Sequence, residues 1–283
     1  MFKKIIKLHR LIFVLVLGLG FNYAHAQQDK KSNLISLEYL QDSSDTANVF
    51  VDLSVAITDD TGVNAGWGNT RSDSNNDDLN LGYFSVGVTH KFTEGFSTGI
   101  DYYQYGEDNE IEIDSLAATL RWNIQDWSLS LKPQYKKYRI YAEEFARYRE
   151  INSRGLGLGL VYFGFENWEF GLSHDSYKYS LNPRLLSSRI ALEILSSKAL
   201  TISSGLKDYS NNIDVTYLLA NTDITVSYGQ SKSAIDGTMS DVASIGINFY
   251  QLYPVQIGVE IGSVDASSDD ASSYAGFNLG YLW

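Results

Sequence analysis

The residues of this chain best placed for chemistry are ionisable groups set at alternate positions among small polar neighbours. Arg121, Lys132, Lys136, Arg189 and Lys207 are the bases; Glu38, Asp52, Asp101, Glu169, Asp175, Glu193, Asp214 and Glu260 are the acids. Arg121, Lys132 and Lys136 come from neighbouring segments. Glu38, Asp52 and Glu260 come from segments near the two ends of the chain, which a closed sheet would bring together. Held on the inside of one cylinder, a basic wall would face an acidic wall and set a transverse field across the space between them. The same charges could instead brace the wall as ion pairs, Arg189 with Glu193 or Glu169 with a neighbour. A second constellation is His174-Asp175-Ser176, where a base and a hydroxyl stand two residues apart.

Strands must position these groups. Val49, Val51, Leu53, Val55 and Ile57 alternate with Asp52, Ser54 and Ala56, and Leu156, Leu158 and Leu160 alternate with Gly155, Gly157 and Gly159. Val255, Ile257, Val259 and Ile261 alternate with Gln256, Gly258, Glu260 and Gly262. A period of two sends the sets to opposite faces of a strand. Read this way, residues 33–283 divide into about sixteen strands, with fourteen as the alternative count. Segments 188–195 and 199–207 are the tenth and eleventh. Connections are short, the longest outer one being 142–150. Pro133 falls inside the seventh strand, where it removes a ladder donor and implies a bulge or a later start.

The ends of the chain give an address. Lys3, Lys4, Lys7 and Arg10 precede an apolar run over 11–21, and Ala24-His25-Ala26 offers a small-x-small cleavage site before Gln27. Residues 1–26 thus read as a secretory signal peptide, leaving 27–283 as a single domain. At the other end Phe277, Leu279, Tyr281 and Trp283 share one strand face. A chain closing on an aromatic strand of this kind resembles the bacterial outer-membrane β-barrels, a porin-like superfamily. Trp283 stands where that family more often has Phe. The resemblance implies an all-β, transmembrane, antiparallel up-and-down barrel in the outer membrane of a Gram-negative bacterium. It also implies that Phe277, Leu279, Tyr281 and Trp283 form the signal read by the barrel insertion machinery.

Composition agrees. The chain has no Cys, so it has no disulfide framework and no thiolate site. It carries 20 Tyr and only 3 Pro, a balance that suits strands and aromatic belts. Its formal net charge of −12 argues against a nucleic-acid partner. Aromatics near the short turns, namely Phe92 and Phe96, Trp122 and Trp127, Phe163 and Trp168, Phe249 and Tyr250, with Trp283, are expected to form an interfacial girdle. Gly, Ser and Thr crowd the polar face, so the lumen is expected to stay open. Wall side chains, rather than an infolded loop, would then constrict it.

These features lead to a passive channel for small hydrophilic solutes or ions. Its partners would be outer-membrane lipid, the insertion machinery and the solutes. No enzyme activity, catalytic residue, cofactor or metal is expected, and the oligomeric state is open. A barrel for polymer export or envelope assembly is the alternative. A third reading comes from His174 and Ser176, which share the outward face. That spacing resembles outer-membrane phospholipase A, whose nucleophile and base sit on the lipid face of a barrel, and it would imply an acyl-ester hydrolase. The resemblance is confined to these residues. Tyr177-Lys178 replace the Asn-Gly of that family, and no oriented third member is evident in the sequence.

Overall fold

The structure, a computed structural model, describes residues 33–43, 46–74, 77–107, 111–142, 147–183, 206–266 and 271–283. Residues 1–26, read as a signal segment, lie outside these. The described residues form β1 (Leu34–Asp42), β2 (Thr46–Ala56), β3 (Thr61–Ser74), β4 (Asp77–Thr93), β5 (Phe96–Glu107), β6 (Ile111–Ile124) and β7 (Trp127–Ala142). Then come β8 (Arg147–Phe165), β9 (Trp168–Tyr179), β10 (Lys207–Leu219), β11 (Thr222–Ser233), β12 (Met239–Leu252), β13 (Val255–Ala266) and β14 (Ser272–Leu282). Each strand pairs antiparallel with its sequence neighbours, and β1 pairs with β14 from Leu34↔Leu282 to Asp42↔Tyr274, so the sheet closes on itself. Asn33 and Trp283 extend the seam by two reciprocal backbone hydrogen bonds of 3.1 Å. Closure leaves no unpaired sheet edge, which a spanning strand in lipid could not tolerate.

The wall is the fourteen-strand alternative. β9 pairs directly with β10, from Tyr209↔Ser176 to Tyr217↔Trp168, so the barrel closes without 188–195 and 199–207 as strands of its wall. Those segments lie outside the described residues, apart from Leu206 and Lys207. A short alternating run has the same local signature in a wall and in a connection; the pairing partner decides, and pairing is non-local. Both segments fall in the connection 180–206, which is longer than the 143–146 connection between β7 and β8. The expectation that every connection is short fails at this one place.

One end of the barrel carries tight turns: 94–95, 125–126, 166–167, 220–221 and 253–254. Gln125 and Asn167 take positive φ of 53° and 65° there, the left-handed geometry that two-residue hairpins need. Pro133 produces no bulge. The β6–β7 register runs from Ala117↔Gln134 to Leu120↔Leu131 without a shift; only the ladder positions beside the proline are missing.

The outer surface explains where such a barrel can live. Leu158, Leu172, Val226, Val259, Ile261 and Phe277 all point outward and are exposed. A closed wall with this much continuous apolar surface is stable only against lipid. Near the tight turns, ring contacts link successive strands. Phe92 stacks on Phe96 at 5.7 Å, Phe96 meets Trp122 at 5.4 Å, Trp127 meets Tyr162 at 4.5 Å and Trp168 meets Tyr217 at 4.7 Å. This is the expected girdle with two changes of membership. A register shift between Tyr162 and Phe165 puts these two rings, 5.2 Å apart, in the belt instead of Phe163. Tyr250 leaves the belt because its hydroxyl donates to Asp223 on the inner face.

Candidate functional site

The parity that sends Leu and Val to lipid sends the ionisable residues inward. Glu38 on β1, Asp52 on β2, Asp101 on β5, Lys132 on β7, Asp214 on β10 and Glu260 on β13 each stand four or five residues in from the tight-turn end of their strand. They therefore occupy one level of the inner wall. Glu38, Asp52 and Glu260 form a group at the β1–β14 seam, with Glu38 in electrostatic reach of the other two. Tyr274 donates to Glu260 Oε1 at 3.1 Å. Gly276, opposite Glu260, leaves the space this carboxylate uses, since a Cβ there would stand 2.8 Å from Glu260 Cβ.

Half-way round the barrel from Glu260, Arg121 on β6 and Lys132 and Lys136 on β7 share the inner face. In the strand order, β6–β7 and β13–β14 lie on opposite sides. The basic side is diluted. Asp101 lies within electrostatic reach of Lys132, and Asp175 accepts from Gln134 Nε2 at 3.0 Å. Among the described residues none of Glu38, Asp52, Asp101, Glu169, Asp214 and Glu260 forms an ion pair. Glu169 pairs with Thr216 across the ladder and has Asp223, another acid, as its charged neighbour. The bracing alternative thus finds no partner at Glu169. Arg189 and Glu193 lie outside the described residues. Asp101 Oδ1 and Asp214 Oδ1 are buried without a hydrogen-bond partner, while Asn64 and Ser227 hydrogen-bond to the same two carboxylates.

Further from the tight turns the inner wall changes character. Lys136 is buried, with its ammonium 5.1 Å from the Tyr177 ring and 5.8 Å from Tyr103. Lys207, next along this side, lies in electrostatic reach of Lys136. Above them Tyr138, Leu81, Ile111, Ile113, Ile140, Ile151 and Leu206 are almost wholly buried and pack with Phe50, Tyr83, Tyr105 and Tyr274. The expectation of a Gly- and Ser-lined lumen therefore fails over this far part. The far part is filled by Tyr and branched aliphatic side chains. These positions were visible to parity: Tyr103 and Tyr105 alternate with Tyr102 and Gln104, and Tyr177 and Tyr179 with Ser176 and Lys178. What the sequence does not display is that several inward rings meet at one level, because the stagger between strands sets that.

Outside, the same end of the barrel carries ion pairs. Arg139 reaches Glu112 at 2.5 Å and Asp114 at 3.0 Å, Lys137 reaches Glu150 at 2.6 Å, and Lys232 lies 3.6 Å from Asp208. His174 and Ser176 are exposed on the outward face, as parity requires. His174 has a polar partner that the sequence did not reveal. Asn211 is the ladder partner of His174, and His174 Nδ1 donates to Asn211 Oδ1 at 2.7 Å. It escaped the sequence reading because it lies on the next strand, beyond the long 180–206 connection. Among the described residues no cluster of His, Asp and Glu could hold a metal.

A closed antiparallel barrel of fourteen strands, apolar outside and carrying ionisable groups on its inner wall, defines a β-barrel of the transmembrane type. Among solved structures the chain is similar in fold to a loop-deletion mutant of OmpT, an outer membrane protein of Vibrio cholerae. The TM-score is 0.48 and the identity 9%, over 89% of this chain and 98% of that one. It is also similar to OccAB4 of Acinetobacter baumannii (TM-score 0.48, 11% identity, 90% and 72% covered) and to the KdgM porin (0.43, 10%, 88% and 98%). No family model matches the chain, and no curated protein matches it.

Proposed function

We propose that this barrel is a narrow passive channel for small hydrophilic solutes or ions, with a weak preference for cations. The observation that carries the reading is the single inner-wall level at which Glu38, Asp52, Asp101, Asp214 and Glu260 face one lysine, Lys132, without ion pairs. Carboxylates left without ion pairs on an inner wall attract hydrated cations and repel anions. The Tyr- and Ile-rich layer beyond this level limits the path to small species. The roles of Arg121, Lys136, Lys207, Glu169 and Asp175 as path-lining groups belong to the same proposal. Reconstitution into a planar bilayer tests it: the protein should give discrete conductance steps. A folded, inserted barrel that gives none would transfer the reading to polymer export or envelope assembly.

The His174–Asn211 hydrogen bond favours a second reading, a hydrolase acting on lipid. Asn211 would hold the imidazole, His174 would take the Ser176 proton, and Ser176 Oγ would attack an acyl carbonyl presented from the membrane; the ester C–O bond would break, the lysolipid alcohol would leave with the His174 proton, and water would hydrolyse the acyl-enzyme to free fatty acid. Fatty-acid release from phospholipid vesicles by the wild type, lost in Ser176→Ala, would establish it. No release from either protein would dismiss it.

A further inference from the structure

The outward face holds a feature that neither reading uses. Arg154 on β8 and Lys178 on β9 are ladder partners, both outward and both exposed. Like charges directly opposed across a strand pair are destabilising unless something offsets them. Neighbouring outward cations are offset: Arg139 has Glu112 and Asp114, and Lys137 has Glu150. Among the described residues Arg154 and Lys178 make no ion pair and no hydrogen bond.

Their depth identifies the missing partner. Arg154 lies eight residues along β8 from Tyr162 of the girdle, and Lys178 ten along β9 from Trp168. With a rise of about 3.3 Å per residue and a tilt near 40°, those spans climb roughly 20–25 Å across the membrane. That is about the height of the apolar band of an outer-membrane barrel. Leu156, Leu158, Phe170 and Leu172 make most of the outward face below them, with His174 and Ser176 between. The two cations therefore stand at the headgroup level of the far leaflet, where nothing in the described wall neutralises them. We infer that, with the tight-turn end that also carries Asn33 and Trp283 facing the periplasm, Arg154 and Lys178 form a binding site for the phosphate of an outer-leaflet lipid, whose acyl chains lie along the leucine-rich surface beneath. Arginine supplies a planar fork for two phosphate oxygens and lysine a point charge beside it. The lipid then supplies the negative charge that the ladder lacks.

Native mass spectrometry of the full-length barrel in detergent tests this, using bisphosphorylated lipid A, the same lipid with its phosphates removed, and inorganic phosphate. The wild type should retain the phosphorylated lipid and not the dephosphorylated one, and millimolar inorganic phosphate should leave that lipid in place. At about fivefold per interfacial charge, the Arg154→Ser/Lys178→Ser variant should bind it roughly thirtyfold more weakly. The Arg154→Lys/Lys178→Arg variant, which keeps both charges, should bind it nearly as well as wild type. Heat-modifiable gel mobility checks that each variant is folded. Equal binding by the serine variant, equal retention of the dephosphorylated lipid, or displacement by inorganic phosphate would each overturn the inference. Channel conductance is measured separately, so failure here leaves the channel reading standing on its own test.

Discussion

Two bands of the same inner wall follow one alternation rule and do opposite things with it. Near the tight turns, inward positions carry carboxylates beside glycine and serine, and the described carboxylates there stay unpaired. Further out, inward positions carry Tyr138, Ile113, Ile140, Ile151 and Leu81, which bury one another almost completely. Period-two patterning decides which side of the wall a residue occupies. The size and charge of the inward set decide whether that stretch of the wall is polar or packed with apolar side chains. On the proposed reading the filled band would carry most of the stability and the charged band the ionic preference.

The most severe way to break this arrangement is at the seam. Tyr281 and Trp283 stack outward at 6.4 Å beside the ladder that joins β14 to β1. Deleting 281–283 should abolish assembly altogether, with no heat-modifiable band and no protein in the outer-membrane fraction. A normal yield of folded barrel would separate the terminal aromatics from insertion.

A more local change tests the two bands against each other. Tyr138→Ala empties a side chain that is 0% exposed and should cost roughly 3 kcal/mol, read as a shift in urea-induced unfolding from vesicles. Asp101→Asn in the charged band should move the same curve by no more than about 1 kcal/mol, because that carboxylate has no ion pair to lose. Equal costs would erase the distinction. Tyr138→Ala should also raise conductance, since it removes bulk from the narrow band.

The smallest effect is a check on register. Single cysteines at Leu158, Val226 and Val259 should resist a membrane-impermeant thiol reagent, and those at Ser130 and Ser227 should react. The chain has no native Cys to confuse the result. Equal labelling of both sets would contradict the assignment of faces.

How much of this was legible in the sequence depended on whether the deciding contact was local. The faces were legible everywhere, because alternation is a property of five or six consecutive residues. The class of fold was legible from the closing strand and the aromatic turns. The strand number was not settled between fourteen and sixteen, since 188–207 alternates as a wall strand does and only the β9–β10 pairing excludes it. Tyr162 and Phe165 replace Phe163 in the belt because of a register shift that no local pattern marks. Asn211 was invisible as the partner of His174 for the same reason: ladder neighbours across a long connection share no sequence window. The inward charges could be assigned to a face but not to a level, since level depends on where each strand meets its turn.

The central claim is that the unpaired carboxylates of the charged band act on permeating ions. The direct measurement is the reversal potential of single channels across a salt gradient, made below about 0.1 M, where the Debye length exceeds roughly 10 Å. The wild type should reverse on the cation-selective side of zero. Glu38→Gln/Asp52→Asn/Glu260→Gln should move toward anions, and neutralising Arg121, Lys132 and Lys136 should move the potential the other way. A conducting wild type whose reversal potential is indifferent to both sets of substitutions would contradict the account.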